Sequence, residues 1–158
     1  MSSHEAASDN SPPDNRQDAP IAEDAGSLTA RPLSEAACLR LLAGVGFGRI
    51  VYTRYGLPAI RPVDHIVDDR AIIAATDAVT FPPYRQVVAY EADTLDRHTQ
   101  RGWCVIVTGT AEPVTEGNDL ARYRAALRPR LTGGPHRIVR IRPEVVTGVE
   151  YVAPARHR

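Results

Sequence analysis

One pair of neighbouring side chains in this sequence can move a proton near neutral pH, Asp64-His65. A carboxylate beside an imidazole can act as an acid–base couple near a cofactor. A single histidine on a strand is more often packed or exposed than catalytic. Glu91 and Asp93 stand two apart, on one face of an extended segment. They could form a carboxylate site, although strand-end capping and solvation explain them more simply. Arg61 interrupts an apolar run and calls for an anion, either a ligand or a partner carboxylate. Trp103 is the only tryptophan; it either stacks on a flat ring or fills a core. The run Arg122, Arg124, Arg128, Arg130, Arg137, Arg140, Arg142 has no acid between its ends. It has few aromatics around it for base stacking, so it reads as a solvated face and not a nucleic-acid grip.

Composition removes several chemistries. All nineteen Lys+Arg residues are Arg, so no side-chain amine is present for a Schiff base. Any phosphate must be held by arginine, hydroxyl or backbone N–H groups. The two cysteines, Cys38 and Cys104, lie apart in apolar runs. They read as free thiols in a reducing compartment, and no zinc or other metal site is expected. Neither a dinucleotide glycine fingerprint nor a P-loop is present. No apolar run is long enough to span a bilayer and no signal pattern opens the chain, so a cytoplasmic protein without a membrane partner is expected.

The net charge is zero over 158 residues, yet it is unevenly spread. Residues 1–30 hold six acids and one base; the remainder carries a matching positive excess. The opening segment is rich in Ser, Asp, Asn, Pro and Ala and is expected to be a disordered acidic tail. One folded domain then spans 31–152, with a short tail at 153–158.

The elements that must position these residues are short. Ser34 reads as the N-cap of a helix whose Cys38, Leu41 and Leu42 share a face. Gly44 or Gly46 is expected to end it in a left-handed conformation. Strands are predicted over Arg49–Thr53, Ala59–Val67, Ala71–Thr76, Val87–Ala92 and Trp103–Thr110. His136–Ile141 follows, and a seventh strand at Val145–Val152 can come after a Pro143-Glu144 turn. Asp77–Gln86, with Pro82-Pro83 inside it, is a loop. A second helix runs from about Asn118 to Leu127. Consecutive short strands with two small helices describe a mostly β protein, an antiparallel barrel with helical plugs.

Several pieces, in this order and spacing, resemble the pyridoxamine 5′-phosphate oxidase-like split-barrel family. They are Gly48-Arg49-Ile50, Gly56-x-Pro58, Pro62-Val63-Asp64, Ala75-Thr76, Val88-Ala89-Tyr90-Glu91-Ala92-Asp93, Gly102-Trp103-Cys104-Val105-Ile106-Val107-Thr108-Gly109, and Val139-Arg140-Ile141-Arg142-Pro143-Glu144 with Thr147-Gly148. The likeness covers roughly 33–148 and is strongest to the nitroimidazole-resistance-type and actinobacterial flavin- or deazaflavin-binding members. It implies a six-stranded antiparallel split β-barrel with a few short helices, dimeric, with FMN or a deazaflavin in a groove between subunits. The implied activity is a flavin-dependent oxidoreductase acting on a small-molecule substrate. By position, Arg61, Pro62, Val63 and Asp64 would line the flavin ring, Ala75 and Thr76 would approach its phosphate, and Trp103 would sit near the groove. No catalytic residue is implied.

The chain departs from the family in one place. Relatives follow the Thr with a Gly-Ser/Thr-Lys segment and a helix, whose Lys and hydroxyl bind the phosphate. Here only the residues from Asp77 to Gln86 intervene, with no Lys. Thr80 and Arg85 are the expected substitutes, since an arginine fork can hold phosphate. The alternative is a non-catalytic flavin- or haem-binding protein with a degenerate phosphate site.

Overall fold

The computed structural model describes residues 28–127 and 135–153. The greater part of the tail expected at 1–30, and 154–158, lie outside the described residues. Seven strands and two helices follow one another as β1 (Thr29–Pro32), α1 (Glu35–Ala43), β2 (Phe47–Arg54), β3 (Leu57–Asp68), β4 (Ala71–Asp77), β5 (Gln86–Asp93), β6 (Gly102–Pro113), α2 (Gly117–Leu127) and β7 (His136–Val152). The strands are antiparallel, in the order β1-β7-β4-β3-β2-β5-β6, and β6 pairs back onto β7. Six strands therefore close a ring, and closure removes most exposed edges. The seventh, β1, is not among the expected strands; it adds outside the ring along Val149–Val152.

Two tight hairpins build the β2–β3–β4 meander. Tyr55 and Gly56 have φ of 52° and 74°, and Asp69 and Arg70 have φ of 44° and 64°. Two successive residues in the left-handed region make the turn whose twist matches the flanking strands. β3 therefore begins at Leu57, two residues before the expected Ala59.

Alternation decides which side chains fill the barrel. Ile50 and Tyr52 of β2, Val63 and His65 of β3, and Ile72 and Ala74 of β4 are all buried. Val88 and Tyr90 of β5 and Val105 and Val107 of β6 complete the filling with Val139 and Ile141 of β7. Helix α1 closes one end through Cys38, Leu39 and Leu42. Ser34 caps it by accepting from the Ala37 amide at 3.3 Å. Its C-terminus differs from expectation: Gly44 is right-handed, at φ −82°. The Gly44 amide still bonds back to the Arg40 and Leu41 carbonyls, so no left-handed residue is needed there. A smaller cluster of Ile73, Ala75 and Ile138 with Tyr123 and Leu127 seats α2 on the outside of β4 and β7.

The Pro143-Glu144 turn does not exist; β7 is one continuous strand of 17 residues. The register against β6 slips between Thr108 and Gly109, which pair with Val145 and Pro143. Glu144 is therefore the extra residue of a bulge, which bends the strand without ending it. A Cβ at Gly109 would lie 2.0 Å from the Arg142 carbonyl oxygen, so the close approach at this bend requires glycine.

Candidate functional site

The shortened segment between β4 and β5 is a compact, pinned loop. Asp77 accepts from the amides of Val79 at 2.7 Å and Thr80 at 3.1 Å, and those bonds hold its carboxyl below the usual range. The Phe81 amide reaches the Asp77 carbonyl at 3.0 Å, and the Ala78 amide reaches Pro135 at 2.9 Å. Tyr52 donates its hydroxyl to the Thr80 carbonyl at 3.3 Å, and its ring packs on buried Phe81 with centroids 4.8 Å apart. Arg137, near the start of β7, donates to the Phe81 carbonyl. Prolines 82 and 83 follow where no helix could continue.

This loop forms one wall of a pocket of about 280 Å³. The facing side is the β2–β3 hairpin, with Arg54 and Tyr55 at its rim. Arg54 lies over the Tyr55 ring, 5.0 Å from its centroid. Two arginines, three aromatic rings and Thr80 line the pocket, with no acid among the described residues. The Thr80 hydroxyl oxygen is buried without a hydrogen-bond partner among the described residues, an unusual state for a polar atom. The lining thus offers two guanidinium groups and a hydroxyl.

Beside the pocket runs an open strand edge. β3 pairs with β2 along Leu57–Asp64 but with β4 only over Asp64–Asp68. Among the described residues, the other edge of 57–63 has no sheet partner. Pro58 and Pro62 bring no N–H to this stretch, so what it can offer a planar heterocycle is mainly carbonyl acceptors. Arg61 and Pro62 are exposed along this stretch, and the Arg61 guanidinium donates to the Ile60 carbonyl at 2.8 Å.

The remaining residues singled out in the sequence fall in different places. Val63 is 1% exposed inside the barrel, so only its backbone can meet a ligand at the edge. Asp64 is half-buried on β3. Thr76 is buried and donates its hydroxyl to the Arg137 carbonyl at 3.0 Å. Ala75 is covered by the cluster beneath α2. Arg85 is exposed and lies outside the pocket lining. Trp103 is half-buried on β6 opposite Glu150. Gln86 at the loop's end pairs with Ala111, so Trp103 stands eight residues further along β6, about 26 Å at strand rise. One subunit does not bring Trp103 to the pocket.

His65 is not available for proton transfer or as an axial ligand. It is 2% exposed, with Nε2 2.9 Å from the Leu42 carbonyl and Nδ1 2.6 Å from the Tyr90 hydroxyl. A carbonyl can only accept, so Nε2 carries the proton and Nδ1 accepts from Tyr90. Burial lowers the His65 pKa and raises that of Tyr90. The couple is a structural tie between α1 and the barrel wall. Glu91 and Asp93 hold Arg49 across the sheet, at 2.9 and 3.2 Å. Cys38 is buried and Cys104 half-buried, and burial pushes both thiols up, away from reactivity.

Sequence reading missed Arg54 and Arg137. Arg137 sat within the run of arginines assigned to a solvated face, and Arg54 flanked a turn. Nothing in their spacing shows that they meet. Among the described residues, no three His, Cys, Asp or Glu side chains cluster as a metal site. Nor is any helix long and apolar enough to cross a membrane.

Comparison with known proteins agrees with the architecture. The sequence profile described as pyridoxamine 5′-phosphate oxidase matches residues 34–153. An uncharacterized protein of Mycobacterium tuberculosis, Rv0080, is 43% identical over 132 residues, covering 78% of this chain and 87% of its own. A solved Corynebacterium glutamicum protein, a candidate pyridoxamine 5′-phosphate oxidase, superposes with a TM-score of 0.66 at 31% identity, over 80% of this chain and 96% of that one. The FAD-binding protein of Mycobacterium smegmatis superposes with a TM-score of 0.58 at 27% identity, over 77% and 97%.

Proposed function

This chain belongs to the pyridoxamine 5′-phosphate oxidase family, and on that premise we propose that it is a flavin-dependent oxidoreductase acting on a small organic substrate. The observation that carries the reading is the unpaired edge of β3, 57–63, opening beside a cation-lined pocket. The residues suit the group. A flat ring can donate to backbone carbonyls along one side, and a phosphate needs arginine and hydroxyl. A bound flavin would supply the hydride transfer itself. The chain's own part is to orient the ring along Arg61 and Pro62, hold the charged end, and exclude water. The FAD-binding relative from Mycobacterium smegmatis supports a flavin; FMN is the form we favour, with a deazaflavin as the alternative.

The proposed working unit is a homodimer in the cytoplasm. The register aligns Ile60, Val51, Ala89, Thr108 and Val145 in one row across the outer face of five strands. Ile60 and Val145 are 56% and 57% exposed. An apolar row of this length suits burial against a second copy. That face would bring the partner's Trp103 region toward the open β3 edge, as the family groove requires.

The absence of carboxylate, imidazole or thiol from the pocket lining favours one second reading, a flavin carrier without turnover. The absorbance spectrum of purified protein, with and without added FMN, tests the main reading. A flavin spectrum that bleaches with reductant and returns in air is expected. Protein that stays colourless, with no quenching of Trp103 fluorescence by FMN or deazaflavin, refutes it. Bleaching and return in air without consumption of any substrate class would favour the carrier.

A further inference from the structure

We propose that Arg54, Arg137 and Thr80 form a phosphate-binding end to the site, built by this chain in place of the lysine segment its loop lacks. The flavin reading enters only in naming the ligand's phosphate; the anion site rests on the pocket itself.

Three observations converge on it. First, the cations are uncommitted. The Arg54 guanidinium makes no hydrogen bond or ion pair among the described residues, only the stacking contact with Tyr55. Arg137 uses one donor on the Phe81 carbonyl, and a guanidinium carries five. Asp77 is the one acid of the loop, and its carboxylate is occupied by the Val79 and Thr80 amides. Second, the Thr80 hydroxyl is buried and unpartnered, which is costly unless a ligand completes it. Third, the loop is held before any ligand arrives by Asp77, Tyr52 and Arg137 itself. Preorganised donors lose little entropy on binding.

A contrast within the molecule sharpens the point. The larger cleft of about 530 Å³ beside α2 also holds arginines. There Arg122 is bound to Asp68 at 2.9 Å and Asp119 at 3.1 Å, and Arg140 to Asp119 at 3.0 Å. Arg142 is bound to Glu112 at 2.7 Å. Those guanidinium groups are neutralised by their own chain. At the β2–β3 hairpin and the 77–86 loop, by contrast, two arginines share a pocket with no acid among its described lining residues.

The test compares FMN with riboflavin, which lacks the phosphate, on the full chain by titration of Trp103 and flavin fluorescence. Arg54→Gln and Thr80→Val are the variants, because removing Arg137 would also release the loop. Losing one charge-assisted phosphate contact should weaken FMN roughly 10- to 100-fold while riboflavin changes less than about threefold. Equal loss for both ligands, or no loss, overturns the proposal. So does a result in which Arg85→Ala, and not Arg54→Gln, abolishes the preference for FMN. If the wild-type chain binds neither flavin, the functional reading fails but the anion site is still judged. Inorganic phosphate should then raise the melting temperature of wild-type protein more than that of Arg54→Gln at matched ionic strength. Identical responses of the two proteins would overturn the site as well.

Discussion

Replacing Tyr90 with Phe removes one oxygen atom from the centre of the barrel and tests how the α1 end is tied down. Tyr90 is fully buried, and its hydroxyl sits 2.6 Å from His65 Nδ1. The ring can stay in place, so almost no volume is lost. What is lost is the only donor to an imidazole nitrogen that water cannot reach. An unsatisfied buried acceptor costs about 1–3 kcal/mol. For a domain of this size that is a fall in melting temperature of roughly 4–12 °C. The stability of the wild-type protein must also depend on pH. Burial lowers the His65 pKa from its ordinary value of 6.5. A group whose folded pKa is depressed gives stability that is complete above the unfolded value and is lost as pH falls through the folded one. Wild-type protein should therefore lose stability on acidification from pH 6.5, before the carboxylates titrate. The Tyr90→Phe variant keeps the burial that depresses the His65 pKa, so it should lose stability over the same range. The gap between the two proteins should be open at pH 8, where the buried imidazole is neutral in both. Thermal melts followed by circular dichroism across that range read both quantities. Equal melting temperatures at pH 8, or a wild-type melting temperature that does not fall between pH 6.5 and pH 5, would refute the tie.

Three further outcomes are expected. Gly48→Ala places a Cβ 2.3 Å from the Tyr90 hydroxyl and 2.6 Å from the Glu91 carbonyl oxygen; overpacking of this kind costs about 1–3 kcal/mol, and an unchanged denaturation midpoint would contradict the close contact of β2 and β5. Ser34→Ala removes the N-cap acceptor of α1 and should lower stability by about 1 kcal/mol, with Ser34→Asp largely restoring it in the same urea titration. Ile106→Asp puts a charge on the outer face, where Ile106 is 44% exposed; sedimentation should show the proposed dimer dissociating while the melting temperature changes little, and a wild-type monomer at tens of micromolar would refute the dimer.

Much of the architecture was legible because it is written in local pattern. Alternating β-branched runs, the turn residues between them and the Ser34 cap each act within a few residues, so the sequence alone determined a mostly β antiparallel barrel of short strands with two small helices. The family likeness added its flavin groove to that frame. Neighbours distant in the chain decided the rest. Pro143 read as a turn because proline removes a ladder donor, yet the bulge at Glu144 lets β7 pass through it. β1 is a strand only because Val149–Val152 offers it an edge; four exposed residues carry no periodicity of their own. His65 looked like half of an acid–base couple until the fold put Leu42 and Tyr90 on its two nitrogens. Arg54 and Arg137 are 83 positions apart in the sequence, and only closure of the barrel places them on one pocket. Charge convergence is a property of distance in space, which residue order sets only through the completed fold.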